Sequence, residues 1–134
     1  MKILFCILLL TGAAFAQGQR AARAVEPVRV NIITEDSAEG AEDKEFHKLF
    51  RAELNKHRDI VLRDEGYEFA ICLTATKLVE KGRTFGYAAA TLVITKTGRG
   101  DKLRFSIDTG PDLKSIAAQV VSTLYGKELS RWRY

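Results

Sequence analysis

Cysteine, proline, histidine and tryptophan are scarce in this chain: two, two, two and one in 134 residues. Each scarcity excludes something. Cys6 lies in an apolar N-terminal run that reads as a cleaved segment, so a mature chain keeps Cys72 alone. One thiol closes no intramolecular disulfide, and the fold must rest on its core. With Ala70, Ile71 and Leu73 beside it, Cys72 reads as a packed strand residue and not as a reactive thiol. His47 and His57 are ten positions apart, which on a helix is about 15 Å. No cysteine or carboxylate completes a ligand set with either, so both read as solvated or helix-end histidines. No metal or cofactor is assigned.

Charge of one sign is also missing. Lysine and arginine number 21 against 17 acids, a net charge of +4, and the arginines are scattered from Arg20 to Arg133. That is too mild to point to nucleic acid. The spacings Gly82-x-x-x-Gly86 and Gly98-x-Gly100 fall in hairpin turns and do not open a helix, so they make no phosphate cradle. Ser106 and Ser115 lack the context of a nucleophile elbow, and the acidic pairs Glu35-Asp36 and Asp64-Glu65 fall in loops. No catalytic residue is assigned, and no enzyme is expected.

What is present begins at the N-terminus. Lys2 precedes an unbroken apolar run, residues 3–10, and Ala14-Phe15-Ala16 then offers the small-x-small pattern of a signal peptidase site. The run is far shorter than the roughly 20 residues that span a bilayer. Residues 1–16 therefore read as a cleaved signal peptide, which implies a periplasmic or secreted chain with no membrane span after cleavage. Cys6 does not stand where a lipidation cysteine would. Residues 17–27, small and basic up to Pro27, read as a flexible linker, and residues 28–134 as a single domain.

Within that domain, residues 28–34 alternate apolar and polar with β-branched side chains, a first strand. An acidic loop follows, with Ser37 as a cap or turn residue. From 42 to 57, Phe46, Leu49, Phe50 and Leu54 fall at helical spacing. Strands are then expected over 60–63, 67–78, 84–96 and around Leu103, Phe105 and Ile107, joined by turns at 64–66, 80–83 and 97–101. Thr109-Gly110-Pro111-Asp112 opens a second helix, striped by Leu113, Ile116, Ala117, Val120, Val121 and Leu124, which Gly126 ends or bends. The order β-α-β-β-β-β-α gives an α+β fold. It predicts a single mixed sheet, its first two strands parallel, with two amphipathic helices on one face. Leu49, Phe50, Leu113, Ile116, Val120 and Leu124 are expected to meet Phe69, Ile71 and Phe105 in the core.

Two surfaces stand out. Arg131-Trp132-Arg133-Tyr134 gathers residue types common in binding hot spots, although Trp132 packed over a sheet edge reads slightly better. The sheet face away from the helices would carry Ala70, Cys72, Thr74 and Thr76, and both alternating sets of the next strand are nearly free of charge. Such a face suits a partner or another copy of the chain.

The run Phe46-x-x-Leu49-Phe50-x-x-x-Leu54, then Asp59-Ile60-Val61-Leu62, then Tyr67-Glu68-Phe69-Ala70-Ile71-Cys72-Leu73 resembles a recurring pattern of periplasmic modules. These are of the TolB N-terminal domain, CsgG, FlgO and LpoB type. The resemblance spans residues 28–124 in element order. The lipid-anchor cysteine of several such modules has no counterpart, and Glu68-Phe69-Ala70 stands where an aspartate-tyrosine pair is usual. The resemblance implies a non-catalytic binding or assembly domain of the bacterial envelope, with another envelope protein as partner. No family site residue transfers. The candidate interaction residues are Arg131, Trp132, Arg133, Tyr134 and Tyr87. Two other readings stand beside this one: a small-molecule or glycan binder using Tyr67, Tyr87 and Trp132, and a thiol hydrolase pairing Cys72 with a histidine.

Cleavage is expected before Gln17, because Ala14 and Ala16 are the small residues correctly placed after the apolar run. Intact-mass measurement of the exported protein checks it; a chain still carrying Met1 overturns the localisation.

Overall fold

The computed structural model describes residues 26–129. The expected signal peptide, most of the expected linker and Arg131-Trp132-Arg133-Tyr134 lie outside the described residues. Strand β1, Val28–Ile32, is followed by helix α1, Ala41–Asn55, and the short strand β2, Ile60–Leu62. Strands β3, Phe69–Glu80, β4, Arg83–Thr97, and β5, Gly100–Gly110, come next, and helix α2, Leu113–Leu124, closes the order. Where a bend at Gly126 was expected, α2 instead runs on into a π-helical turn, Tyr125–Leu129, whose Leu129 is fully buried. The fold is α+β, with one mixed sheet ordered β2-β1-β3-β4-β5.

β1 lies parallel to both of its neighbours, Val30 pairing Leu62 on one side and Phe69 on the other. A parallel pair needs a crossover, and α1 supplies it between β1 and β2. β3, β4 and β5 form an antiparallel meander. The β3–β4 connection is only Lys81-Gly82, both at positive φ (51° and 76°), the mirror-image turn that matches strand twist. Beyond it, β4 carries a bulge. Glu80 pairs Arg83 and Val79 pairs Thr84, but Leu78 pairs Gly86, leaving Phe85 as the extra residue.

The helices cover one sheet face. Phe46, Phe50 and Leu54 of α1, four residues apart, are fully buried, as are Ile116, Ala117 and Val121 of α2 to within about a hundredth. They meet Val28, Val30 and Ile32 of β1, Phe69, Ile71 and Leu73 of β3, and Ala89 and Val93 of β4. Each such aliphatic or aromatic side chain contributes about 1.5–3 kcal/mol by leaving water. Asp112 is the N-cap of α2, its carboxylate accepting from Ser115 N–H at 2.7 Å. That bond holds the Asp112 carboxyl below the usual aspartate range. At the end of β5, a Cβ on Gly110 would sit 2.9 Å from Ile116 Cγ1, so glycine lets strand and helix close together. Ser37, whose hydroxyl donates to Thr34 C=O, is a turn residue; the N-cap position of α1 is Gly40.

Two expected core residues fall elsewhere. Leu49 is half-buried at the rim of the α1 stripe. Phe105 is 62% exposed and points away from the helices. Its face follows from register: Phe105 pairs Leu92, and Leu92 pairs Cys72, whose side chain is on the opposite face from Ile71 and Leu73. The bulge at Phe85 shifts that register by one residue, and in a strand one residue is a change of face.

Leu124→Ala is expected to cost about 2–5 kcal/mol, whereas Phe105→Ala should cost below about 1 kcal/mol. Urea denaturation of both variants checks the facing; equal losses would put Phe105 back in the core.

Candidate functional site

The β3–β5 part of the sheet face away from the helices is built by alternate residues of three strands. β3 contributes Ala70, Cys72, Thr74 and Thr76, and β4 contributes Ala88, Ala90, Leu92 and Ile94. β5 adds Leu103, Phe105 and Ile107, paired with Ile94, Leu92 and Ala90. None of these side chains is charged. The three from β5 are 67%, 62% and 65% exposed, a row of large apolar side chains in water. Single exposed apolar residues are ordinary, but a contiguous row is the mark of a contact surface. Their alternation partners Arg104, Ser106 and Asp108 turn toward the helix side, where Arg104 pairs with Glu128 at 2.7 Å.

A shallow hollow of about 210 Å³ opens on this face, with Cys72, Thr74, Ala90, Leu92 and Phe105 in its wall. Cys72 is a half-buried free thiol there, and burial pushes its pKa up. Desolvation favours the neutral thiol over the nucleophilic thiolate.

Both histidines lie on the other side. His47, expected to be solvated, is 3% exposed, because the helix turn that carries Phe46 and Phe50 also faces it inward. Its Nδ1 lies 2.7 Å from Asp43 C=O and its Nε2 2.9 Å from Thr34 Oγ1. Thr34 Oγ1 in turn accepts from Leu73 N–H at 2.9 Å and donates to Leu73 C=O, while Asp43 Oδ1 accepts from Ala75 N–H. β1 pairs with β3 only as far as Ile32–Ile71. Side chains of Thr34 and Asp43 thus serve the backbone of β3 where the neighbouring strand stops, and His47 joins the two. A hydroxyl, an imidazole and a carboxylate in a row have the order of a catalytic triad. Here the hydroxyl is committed to Leu73 backbone and the carboxylate to Ala75, so the row fastens helix to sheet. His57, just past α1, stacks on Tyr125 at 3.9 Å between ring centroids, and Tyr125 donates to Asp59. Among the described residues no group of three histidine, cysteine or acidic side chains is placed to hold a metal ion.

The tyrosines do not converge. Tyr87, expected as an interaction residue alongside the tail, turns toward the helices and packs half-buried against the core. Tyr67 lies under Lys96 Nζ, 5.9 Å from the ring centroid. Lys96 is nine residues from Tyr87 along β4, about 30 Å at strand rise. One pocket cannot take both rings. A larger hollow of about 660 Å³ sits where β2 ends beside β1, between Arg51, Arg63, Asp64 and Glu35. Arg51 and Glu35 there form an ion pair with each other.

Leu103, Phe105 and Ile107 are the surface residues that hydrophobic alternation alone misplaces. The two-residue connection Gly98-Arg99, closed by Thr97 and Gly100, sets Phe105 opposite Leu92, and the bulge at Phe85 then decides which face that pair takes.

Because burial raises the Cys72 thiol, iodoacetamide should label it more slowly in the folded mature chain than in the urea-unfolded chain at pH 8. The difference should narrow as pH rises into the range where the folded thiol ionises. Labelling as fast as in the unfolded chain would mean an activated thiolate. Among the described residues, no helix is long and apolar enough to cross a membrane. Set against known protein families, curated proteins and solved structures, the chain matches none.

Proposed function

We propose that the chain is an exported, non-enzymatic binding or assembly module of the bacterial envelope, and that the uncharged sheet face is the surface that meets its protein partner. The observation that carries the reading is the row Leu103, Phe105 and Ile107, each about two-thirds exposed beside Leu92 and Ala90. Leaving such a row in water costs about 25 cal/mol per Å² of apolar surface that contact would remove. A covering partner recovers that energy, and the middle of the face, from Thr74 across Ala90 and Leu92 to Phe105, presents it with no ion to desolvate.

The export half of the reading rests on the N-terminal sequence: Lys2, the apolar run and Ala14-Phe15-Ala16. The envelope setting rests on the resemblance to periplasmic modules. The non-enzymatic half draws on how the chain uses its polar groups. Thr34, Asp43 and His47 are spent on backbone amides and on each other, and Cys72 is held toward its neutral form. Arg131, Trp132, Arg133 and Tyr134 remain a second proposed contact element besides the sheet face.

A photo-crosslinking residue at position 74, on the open face and two strands away from β5, tests the reading in the producing cell. The control is the same residue at position 48, on the exposed side of α1. Adducts of a defined mass at 74 and not at 48 are expected. Equal labelling at both positions, or none at 74, overturns it.

A further inference from the structure

The sheet has two ends, and they are finished differently. β2, at one end, is three residues long. β3 outlasts its neighbour β1, but Thr34 and Asp43 serve its backbone at Leu73 and Ala75. β5, at the other end, runs for eleven residues and is paired with β4 along all of them. Among the described residues no hydrogen bond reaches its outer backbone edge. A long, flat edge with apolar side chains is a template for another strand.

We propose that this edge takes a second copy of the chain, β5 pairing antiparallel with β5 of the partner about a two-fold axis at Phe105. The proposal deepens the assembly reading above by naming one partner and one edge. It rests on the pattern of side chains along β5. With Phe105 opposite its own copy, residues whose numbers sum to 210 face each other. On the open face Leu103 then meets Ile107 of the partner, twice, around the central Phe105 pair. On the helix face Lys102 meets Asp108 of the partner, twice, and Arg104 meets Ser106. Every large apolar side chain of the strand finds an apolar one, and the two remaining charges find opposite ones.

The charges are what select a copy over any other strand. Within the chain, Asp101 is paired with Lys96 and Arg104 with Glu128, whereas no ion pair among the described residues uses Lys102 or Asp108. Charges pointing to the core side of an edge strand repel a foreign strand, since pairing would leave them without counter-ions. A copy running antiparallel supplies the counter-ions from the same two positions. Moving the axis by one residue toward Lys102 sets Arg104 against Arg104. Moving it the other way gives Arg104 to Asp108, but breaks its contact with Glu128 and leaves Lys102 facing Gly110.

Because facing residues in this register share a face, both copies put their helices on the same side of one ten-stranded sheet. Its new ends are the two β2 strands, three residues each, so the assembly closes at two copies. The apolar rows also become one strip twice as wide, lying beside Leu92 and Ala90 of each copy.

Sedimentation of the mature chain, beginning at Gln17, tests this with no other protein present. The wild type is expected to be a dimer. Lys102→Glu alone sets two carboxylates against each other, and Asp108→Lys alone sets two ammonium groups, so each variant should raise the dimer dissociation constant at least about tenfold. Mixed in equal amounts, the two variants should recover a dimer. The new carboxylate at position 102 of one chain then faces the new ammonium at position 108 of the other, and the unchanged Lys102 and Asp108 face each other at the second site. Recovery on mixing also shows that both variants fold. A wild type that stays monomeric at about 100 μM overturns the proposal. So does a dimer that neither variant weakens, or a mixture that stays monomeric, as would follow if a chain terminus or another surface occupied the edge. Crosslinking at position 74 reads the open face independently of β5, so each idea can fail alone.

Discussion

One extra residue in β4 decides what this molecule shows to water. Without the bulge at Phe85, the Lys81-Gly82 turn would carry Cys72 opposite Thr91, and the apolar residues of β4 and β5 that now face out would face the helices. With it, Cys72 meets Leu92 and the helix side receives Thr91, Arg104, Ser106 and Asp108. The cost is visible in the core. Thr91 is 1% exposed and its hydroxyl has no hydrogen-bond partner among the described residues, a burial that disfavours the folded state by about 1–3 kcal/mol. Arg104 is accommodated by Glu128 from the turn that follows α2. The core closes all the same, because α1 brings Phe46, Phe50 and Leu54 to the other half of the sheet.

The structure treats its backbone groups unevenly along the sheet. Around His47, three side chains replace a missing strand and tie α1 to β3 through backbone amides, in a place that solvent hardly reaches. Along β5, by contrast, no described residue pairs the outer edge, which runs beside the exposed Leu103, Phe105 and Ile107. Proteins that need no partner usually blunt such an edge. The fold thus closes one break in its sheet with side chains near α1 and leaves its longer edge, β5, unpaired among the described residues.

Periodicity made most of this architecture readable. The i, i+4 spacing of Phe46, Phe50 and Leu54, the stripe from Leu113 to Leu124, and the alternation in residues 28–32 each locate an element and its buried side. The parallel β1–β2 pair followed from having a helix between them. What failed was the side of β5. Alternation marks two faces but does not say which is inner, and the usual assumption that the apolar set goes in sent Phe105 to the core. A bulge has no periodic signature, and counting back from the two hairpin turns without it puts Phe105 on the same face as Ile71. His47 was missed for a related reason. The α1 turn faces it inward, where Asp43 and Thr34 meet its two ring nitrogens, and Thr34 belongs to a loop whose approach to the helix no local pattern encodes.

The position of β1 has a consequence for the order in which the chain can fold. β1 is the first element in sequence yet lies inside the sheet, and Val30 pairs with Leu62 and Phe69, thirty-two and thirty-nine residues later. β3, β4 and β5 pair through two-residue turns and can zip from local contacts. Closing long loops is the slow entropic step, so the meander forms early and β1 threads between β2 and β3 late. Until it does, Val30 and Ile32 leave a slot between β2 and β3, under α1, and the core has no floor there. β1 is thus the strand that completes the sheet, bridging β2 and β3.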